Sequence, residues 1–189
     1  NAAHALGRKV ASHAHAAAGI NAALRAGVDS IEHGSYANEE SIKLFKKHGT
    51  YLVPTLMAGD TVVSLAKNTD FLSPTIRAKA IRVGGDMIKN FKRAYKSGVK
   101  IAYGTDSGVS KHGNNGKEAV LMFTAGMKPQ EILKSATINA ADLIGKSKSL
   151  GTLEVGKIAD IIATDNNPLK EIKALLDIDF VMKSGVVVK

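Results

Sequence analysis

Four short apolar runs constrain what this 189-residue chain can fold into. They are Arg8–Ala14, Val28–His33, Thr50–Leu56 and Val99–Tyr103, and helix-patterned segments separate them. Ala16–Ala26 is rich in alanine and stops at Gly27, the pattern of a helix with a C′ glycine. Asn38 is placed to cap a second helix that carries Ile42, Leu44 and Phe45 and ends at Gly49. Ser73-Pro74 opens a third, long helix with Ile76, Ala80, Ile81, Met87, Ile88, Phe91 and Tyr95 on one stripe and Gly98 as its stop. The Gly84-Gly85 pair inside it is a candidate kink, and Met57–Leu72 before it reads as a mobile connection. Short, nearly continuous apolar strands alternating with helices specify parallel βα units, so the expected class is α/β.

Three more helices are predicted, over Lys117–Ala125, Pro129–Ala136 and Ile138–Ile144, the last with Thr137 as its cap. The pattern then changes. Gly151–Leu153 and Ile158–Ala163 read as short strands, and Phe180–Met182 and Val186–Val188 frame a Lys183-Ser184-Gly185 hairpin. The expected division is therefore residues 1–148 for the βα units and 149–189 for a small β unit. An eight-stranded barrel usually takes about 250 residues, so four βα units amount to half of one. The chain also opens inside an element, and the expectation is the C-terminal portion of a longer protein.

Three of the four strands end in groups that can bind a metal. They are Ser12-His13-Ala14-His15, Ile31-Glu32-His33-Gly34 and Tyr103-Gly104-Thr105-Asp106-Ser107-Gly108. In a parallel sheet or barrel all such ends lie on one face, where imidazoles and a carboxylate distant in sequence converge. His13 and His15 are two apart and share a strand face. If one of them binds a metal, the other can touch substrate or orient a ligand. Glu32 and His33 point to opposite sides if their strand stays regular. Asp106 can bind a metal and act as a general base. His112 follows in the loop after it, where substrates are often read. Each residue also has a plain structural reading, a satisfied strand-end histidine or a loop-capping aspartate. His4 and His48, in or at the ends of helices, read as surface residues.

Composition narrows the chemistry. With no cysteine, disulfides and thiolate sites are excluded, and any metal must be held by histidine and carboxylate. A 44% hydrophobic content fits a packed fold. The net charge of +9 is scattered over helix faces, and aromatics are only 5%, which argues against a nucleic-acid partner and for a solvated basic surface. A preference for an acidic substrate group is the other reading. No apolar run approaches the roughly 20 residues of a membrane span, so no membrane partner is expected. No signal-peptide pattern opens the chain. The compartment stays open between cytoplasm and periplasm, because the true N-terminus is expected to be missing.

These motifs resemble the C-terminal half of an amidohydrolase-superfamily enzyme, in the branch of Xaa-Pro dipeptidase-like and imidazolonepropionase-like hydrolases. The resemblance rests on Val10–His15, Ala26–Gly34, Tyr51–Leu56 and Tyr103–Gly108. Lys111-His112-Gly113 with Glu118, Ala136–Ala141 and Leu150–Asp160 add to it. It covers nearly the whole chain. It implies half of a distorted (β/α)8 TIM-like barrel, plus strands of a small β-sandwich domain completed from the N-terminal side. It implies one or two divalent ions, usually zinc, with His13 ending barrel strand five, His33 strand six and Asp106 strand eight as ligands. The strand-one His-X-His pair and the strand-four lysine of that pattern have no counterpart here. His13-X-His15 imitates the pair only in spelling, so His15, like His112, is expected to contact substrate.

The resemblance implies a metal-dependent amide hydrolase for small peptides, of dipeptidase or carboxypeptidase type, in which metal-activated water attacks and Asp106 moves the proton. The alternatives are a cyclic-amide hydrolase of imidazolonepropionase type, or a catalytically silent half-barrel. The expected partners are a small peptide or amide substrate, the N-terminal half of the same protein and further copies in a homo-oligomer.

Overall fold

A computed structural model describes residues 1–70 and 72–189. A short helix, α1 (Ala2–Ala5), precedes β1 (Ala11–Ala14), α2 (Ala17–Arg25), β2 (Ser30–His33), α3 (Glu39–His48) and β3 (Tyr51–Val53). Two helices, α4 (Leu56–Asn68) and α5 (Pro74–Lys96), then lead to β4 (Lys100–Ile101). After it come α6 (Lys117–Thr124), α7 (Pro129–Ala136) and α8 (Ile138–Leu143). The chain closes with β5 (Ile161–Ala163), a 3-10 helix (Ile172–Leu176), β6 (Phe180–Lys183) and β7 (Val186–Val187).

The first four strands form one parallel sheet in the order β1-β2-β3-β4, with Ala14 beside His33 and Leu52 beside Ile101. The fold is α/β, as the alternation predicts. Local signals set the elements. Asn38 and Ser41 form a reciprocal capping box on α3, and Gly49 closes that helix at φ 66°. Gly27 and Gly98, at φ 82° and 78°, do the same after α2 and α5.

All three residues of β3 are buried, and their alternation sorts them into two clusters. Leu52 joins Ile20, Leu24, Ile31, Phe45 and Met122 under the helices. Tyr51 and Val53 pack with Ala102 in a second, smaller cluster. β5, β6 and β7 make a separate antiparallel sheet on which Ile162, Val186 and Val187 are exposed. No described helix is long and apolar enough to cross a membrane.

Several expectations change. Met57–Leu72 is mostly helix α4 rather than a mobile connection, with Phe71 of that stretch outside the described residues. Its apolar positions find a partner in α5 that the linear sequence does not reveal. α5 runs unbroken through Gly84, which allows close approach to α4, since a Cβ there would strike Val63 Cγ2. Gly151–Leu153 forms no strand. Thr137 stands at the N-cap of α8 but makes no side-chain capping bond, because its hydroxyl donates to the Leu133 carbonyl at 2.7 Å. His4, by contrast, is exposed on the surface as expected, its Nε2 lying 2.7 Å from Asp29 Oδ2.

Candidate metal centre

β1 and β2 run parallel and end side by side, which brings His13, His15 and His33 together. Each offers a ring nitrogen, and these nitrogens lie within 4.8 Å of one another. The His15 and His33 rings stack with centroids 4.8 Å apart, and the His13 ring stands edge-on to both. Imidazoles at this spacing are a donor set that suits a borderline-soft divalent ion such as zinc.

Two of the rings are oriented by hydroxyls. His33 Nδ1 lies 2.6 Å from Thr55 Oγ1, and His15 Nδ1 lies 2.7 Å from Ser35 Oγ. Both hydroxyl residues are buried. With Nδ1 engaged, Nε2 is the nitrogen left for a ligand or a substrate, the usual division of labour around protein-bound metals. Burial, then the neighbouring His15 and His13, hold His33 down at about 4, against the pull of Asp106. Burial, then His13 and Lys79, lower His15 as well. Both rings are therefore neutral near pH 7, the form that binds metals.

The backbone at this edge is unusual. His33, Thr55 and Asp106 hold φ of 69°, 48° and 52°, left-handed values that non-glycine residues seldom adopt. They follow or close β2, β3 and β4 in turn. The turn at His33 breaks the strand's alternation. Glu32 and His33 therefore do not diverge as a regular strand would have them, and both line one cavity of about 270 Å³ with His13, Thr55 and Asp106. Burial raises the Glu32 carboxyl, and Asp106 adds to the rise while a hydrogen bond from Ser30 opposes it.

A second cavity, about 420 Å³, opens on the same histidines and on Asp106. Its other walls are largely apolar, including Ala58 and Val62 of α4 and Ala80, Val83 and Met87 of α5. Lys79 stands on this lining, with no ion-pair partner among the described residues. A slightly larger cavity, about 450 Å³, lies between α8 and the β5 region, but it holds no histidine. His112 is exposed in the segment before α6 and lines neither histidine cavity.

Sequence reasoning singles out His13, His15, His33 and Asp106, and the fold brings all four onto one cavity. It misses the supporting groups Ser35, Thr55 and Lys79. Thr55 had a usable signal, since it ends the third strand in the position that His33 and Asp106 occupy on their neighbours. Glu118 is fully buried, and its carboxylate accepts from the Leu56 and Met57 N–H groups. Burial pushes that carboxyl up to about 7, against the two bonds.

A parallel α/β sheet with histidines and a carboxylate at its strand ends is the architecture of a hydrolase-type metal centre. The chain belongs to the amidohydrolase family, whose pattern it matches over residues 1–188. It is 38% identical over 189 residues to an ochratoxinase of Aspergillus niger, covering 96% of this chain and 38% of that protein. An imidazolonepropionase of Shouchella clausii is 31% identical over 105 residues, 52% of this chain and 24% of that protein. The crystal structure of a Xaa-Pro dipeptidase with methionine bound in its active site superimposes with a TM-score of 0.96 and 44% identity. That match covers all of this chain and 46% of the dipeptidase. The chain thus spans less than half the length of these relatives, and it is part of a hydrolytic enzyme family.

Proposed function

We propose that the whole protein is a metal-dependent hydrolase that cleaves the amide bond of small peptides, of dipeptidase or carboxypeptidase type. The observation that carries this reading is the convergence of His13, His15 and His33 on a cavity shared with Asp106. On this reading residues 1–148 are the C-terminal half of a (β/α)8 barrel and 149–189 part of a small β-sandwich. The sequential order of β1 to β4 supports the first, and the exposed apolar residues of β5 to β7 support the second. The N-terminal half would supply the rest of the barrel and of the ligand shell, and a homo-oligomer is the expected assembly.

His13, His33 and Asp106 would hold the metal, most simply one or two zinc ions. When bound, the metal lowers the pKa of water to about 7 and so supplies hydroxide near neutrality. Asp106 accepts the proton of the attacking water and returns it to the leaving nitrogen. His15, its ring fixed by Ser35, presents its other nitrogen to the substrate. His112 is assigned to substrate contact as well. The apolar walls suit an aliphatic side chain, and Lys79 suits a free carboxylate. The dipeptidase relative that holds methionine is in keeping with such a ligand.

The test is hydrolysis by the full-length, zinc-loaded protein. Met-Pro and similar dipeptides should be cleaved and their C-terminal amides poorly. Turnover of imidazolonepropionate with no peptide cleavage would replace this reading by the cyclic-amide one. Inertness toward all amides, with no bound metal, would leave a silent half-barrel.

A further inference from the structure

Thr55 occupies the N-cap of α4, yet its side chain makes no capping bond. A threonine there normally turns its oxygen onto the second or third N–H of the helix. Here the hydroxyl is engaged with His33 Nδ1 instead. The first N–H groups of α4 still need partners, because unpaired buried donors are costly.

Glu118 meets that need from a different helix. Its Oε1 accepts from the Leu56 N–H at 2.9 Å and its Oε2 from the Met57 N–H at 2.6 Å. Both bonds are fully buried, and the carboxylate sits at the positive end of the α4 dipole. The start of α6 is itself anchored. Tyr103 Oη accepts from the Ala119 N–H at 3.0 Å and donates to the Asn115 carbonyl at 2.6 Å. Thr55 holds a left-handed backbone, which persists only where the surroundings enforce it. Glu118 clamps the two residues that follow.

We propose that Glu118 is a positioning residue for His33: by capping α4 from α6, it frees the Thr55 hydroxyl to hold the His33 ring toward the histidine cluster. This rests on the reading of His33 as a metal ligand.

The test is a double-mutant cycle in the full-length protein. Zinc affinity is measured by competition with a chromophoric chelator for Glu118→Gln, Thr55→Val and the double variant, with thermal unfolding of the metal-free proteins alongside. Each single change should weaken zinc binding about 10-fold, the usual loss when a group orienting a ligand is removed. The double variant should lose no more than either single one, because Thr55→Val already deletes the bond that Glu118 serves. Wild-type zinc affinity in Glu118→Gln, whatever its melting temperature, would overturn the proposal. So would losses that multiply to about 100-fold in the double variant. If Glu118→Gln does not fold, Glu118→Asp, one methylene short, is read in the same way. His33→Ala is the control. Undiminished zinc binding there would refute the ligand reading itself, a failure distinct from a silent Glu118.

Discussion

His33 and Thr55 sit at the ends of adjacent strands, both with left-handed backbone, and His33 Nδ1 lies 2.6 Å from Thr55 Oγ1. His15 and Ser35 form the same kind of pair at 2.7 Å. The two pairs look alike but serve different proposed roles, which makes them separable. Ser35→Ala in the full-length enzyme should raise KM about 10-fold while zinc content stays stoichiometric, because His15 is read as a substrate contact. Loss of zinc from Ser35→Ala, measured by elemental analysis, would move His15 into the ligand shell.

Asp106→Asn should keep the fold and lose most of the activity. The side chain is exposed on the cavity wall, so little packing depends on it. Removing a positioned general base costs about 10²- to 10⁴-fold, to be read in kcat with circular dichroism unchanged. Wild-type turnover would remove Asp106 from the proton path.

The adjacent glycines of α5 should respond in opposite directions. At Gly84 a Cβ would meet Val63 Cγ2, and overpacking of this kind costs about 1–3 kcal/mol. At Gly85 a Cβ meets nothing within 4 Å, and alanine in a helix interior gains up to about 1 kcal/mol over glycine. Urea unfolding of Gly84→Ala and Gly85→Ala should therefore place them on either side of wild type. Equal effects would mean that α4 and α5 do not pack as described.

These glycines also show where sequence reading stops. The four strands, their helices and the Asn38 cap are written in local patterns of period and punctuation, and they were legible. The gathering of His13, His33 and Asp106 on one cavity was legible too, because a parallel sheet places all strand ends on one face. Helix α4 was not, since its apolar residues gain meaning only against α5. Glu118 was equally hidden as a cap. Its partners, Leu56 and Met57, lie some sixty residues earlier, and capping signals are read within three or four.

Lys79 is exposed among the apolar α4 and α5 residues that line the larger histidine cavity, close enough to depress His15. Lys79→Gln should raise KM for substrates with a free carboxylate about 10-fold, roughly the 1.4 kcal/mol of one exposed charge-assisted contact, and leave kcat nearly unchanged. Amidated substrates should not register the change. An equal loss for both substrate forms would assign Lys79 to the fold rather than to recognition.

Asp29 gives the acid response. Its Oδ1 accepts from Lys9 Nζ at 2.8 Å, and its Oδ2 accepts from the Val10 N–H at 2.8 Å and lies 2.7 Å from His4 Nε2. These contacts tie α1 and the approach to β1 onto the turn before β2. Burial alone would raise the carboxyl, but Lys9, His4 and the Val10 N–H together hold it at about 2. A carboxylate lower in the folded than in the unfolded chain stabilises the fold above its unfolded value of 3.8. That contribution fades as pH falls from there through about 2, below which both states are protonated. Asp29→Asn should cost about 1–2 kcal/mol at pH 6, since Lys9 is half exposed and its share is screened. Denaturant unfolding at pH 6 and pH 3 should show the gap between wild type and variant narrowing at the lower pH. A gap that is unchanged or wider at pH 3 would mean that the ionised Asp29 is not what holds α1 to the sheet.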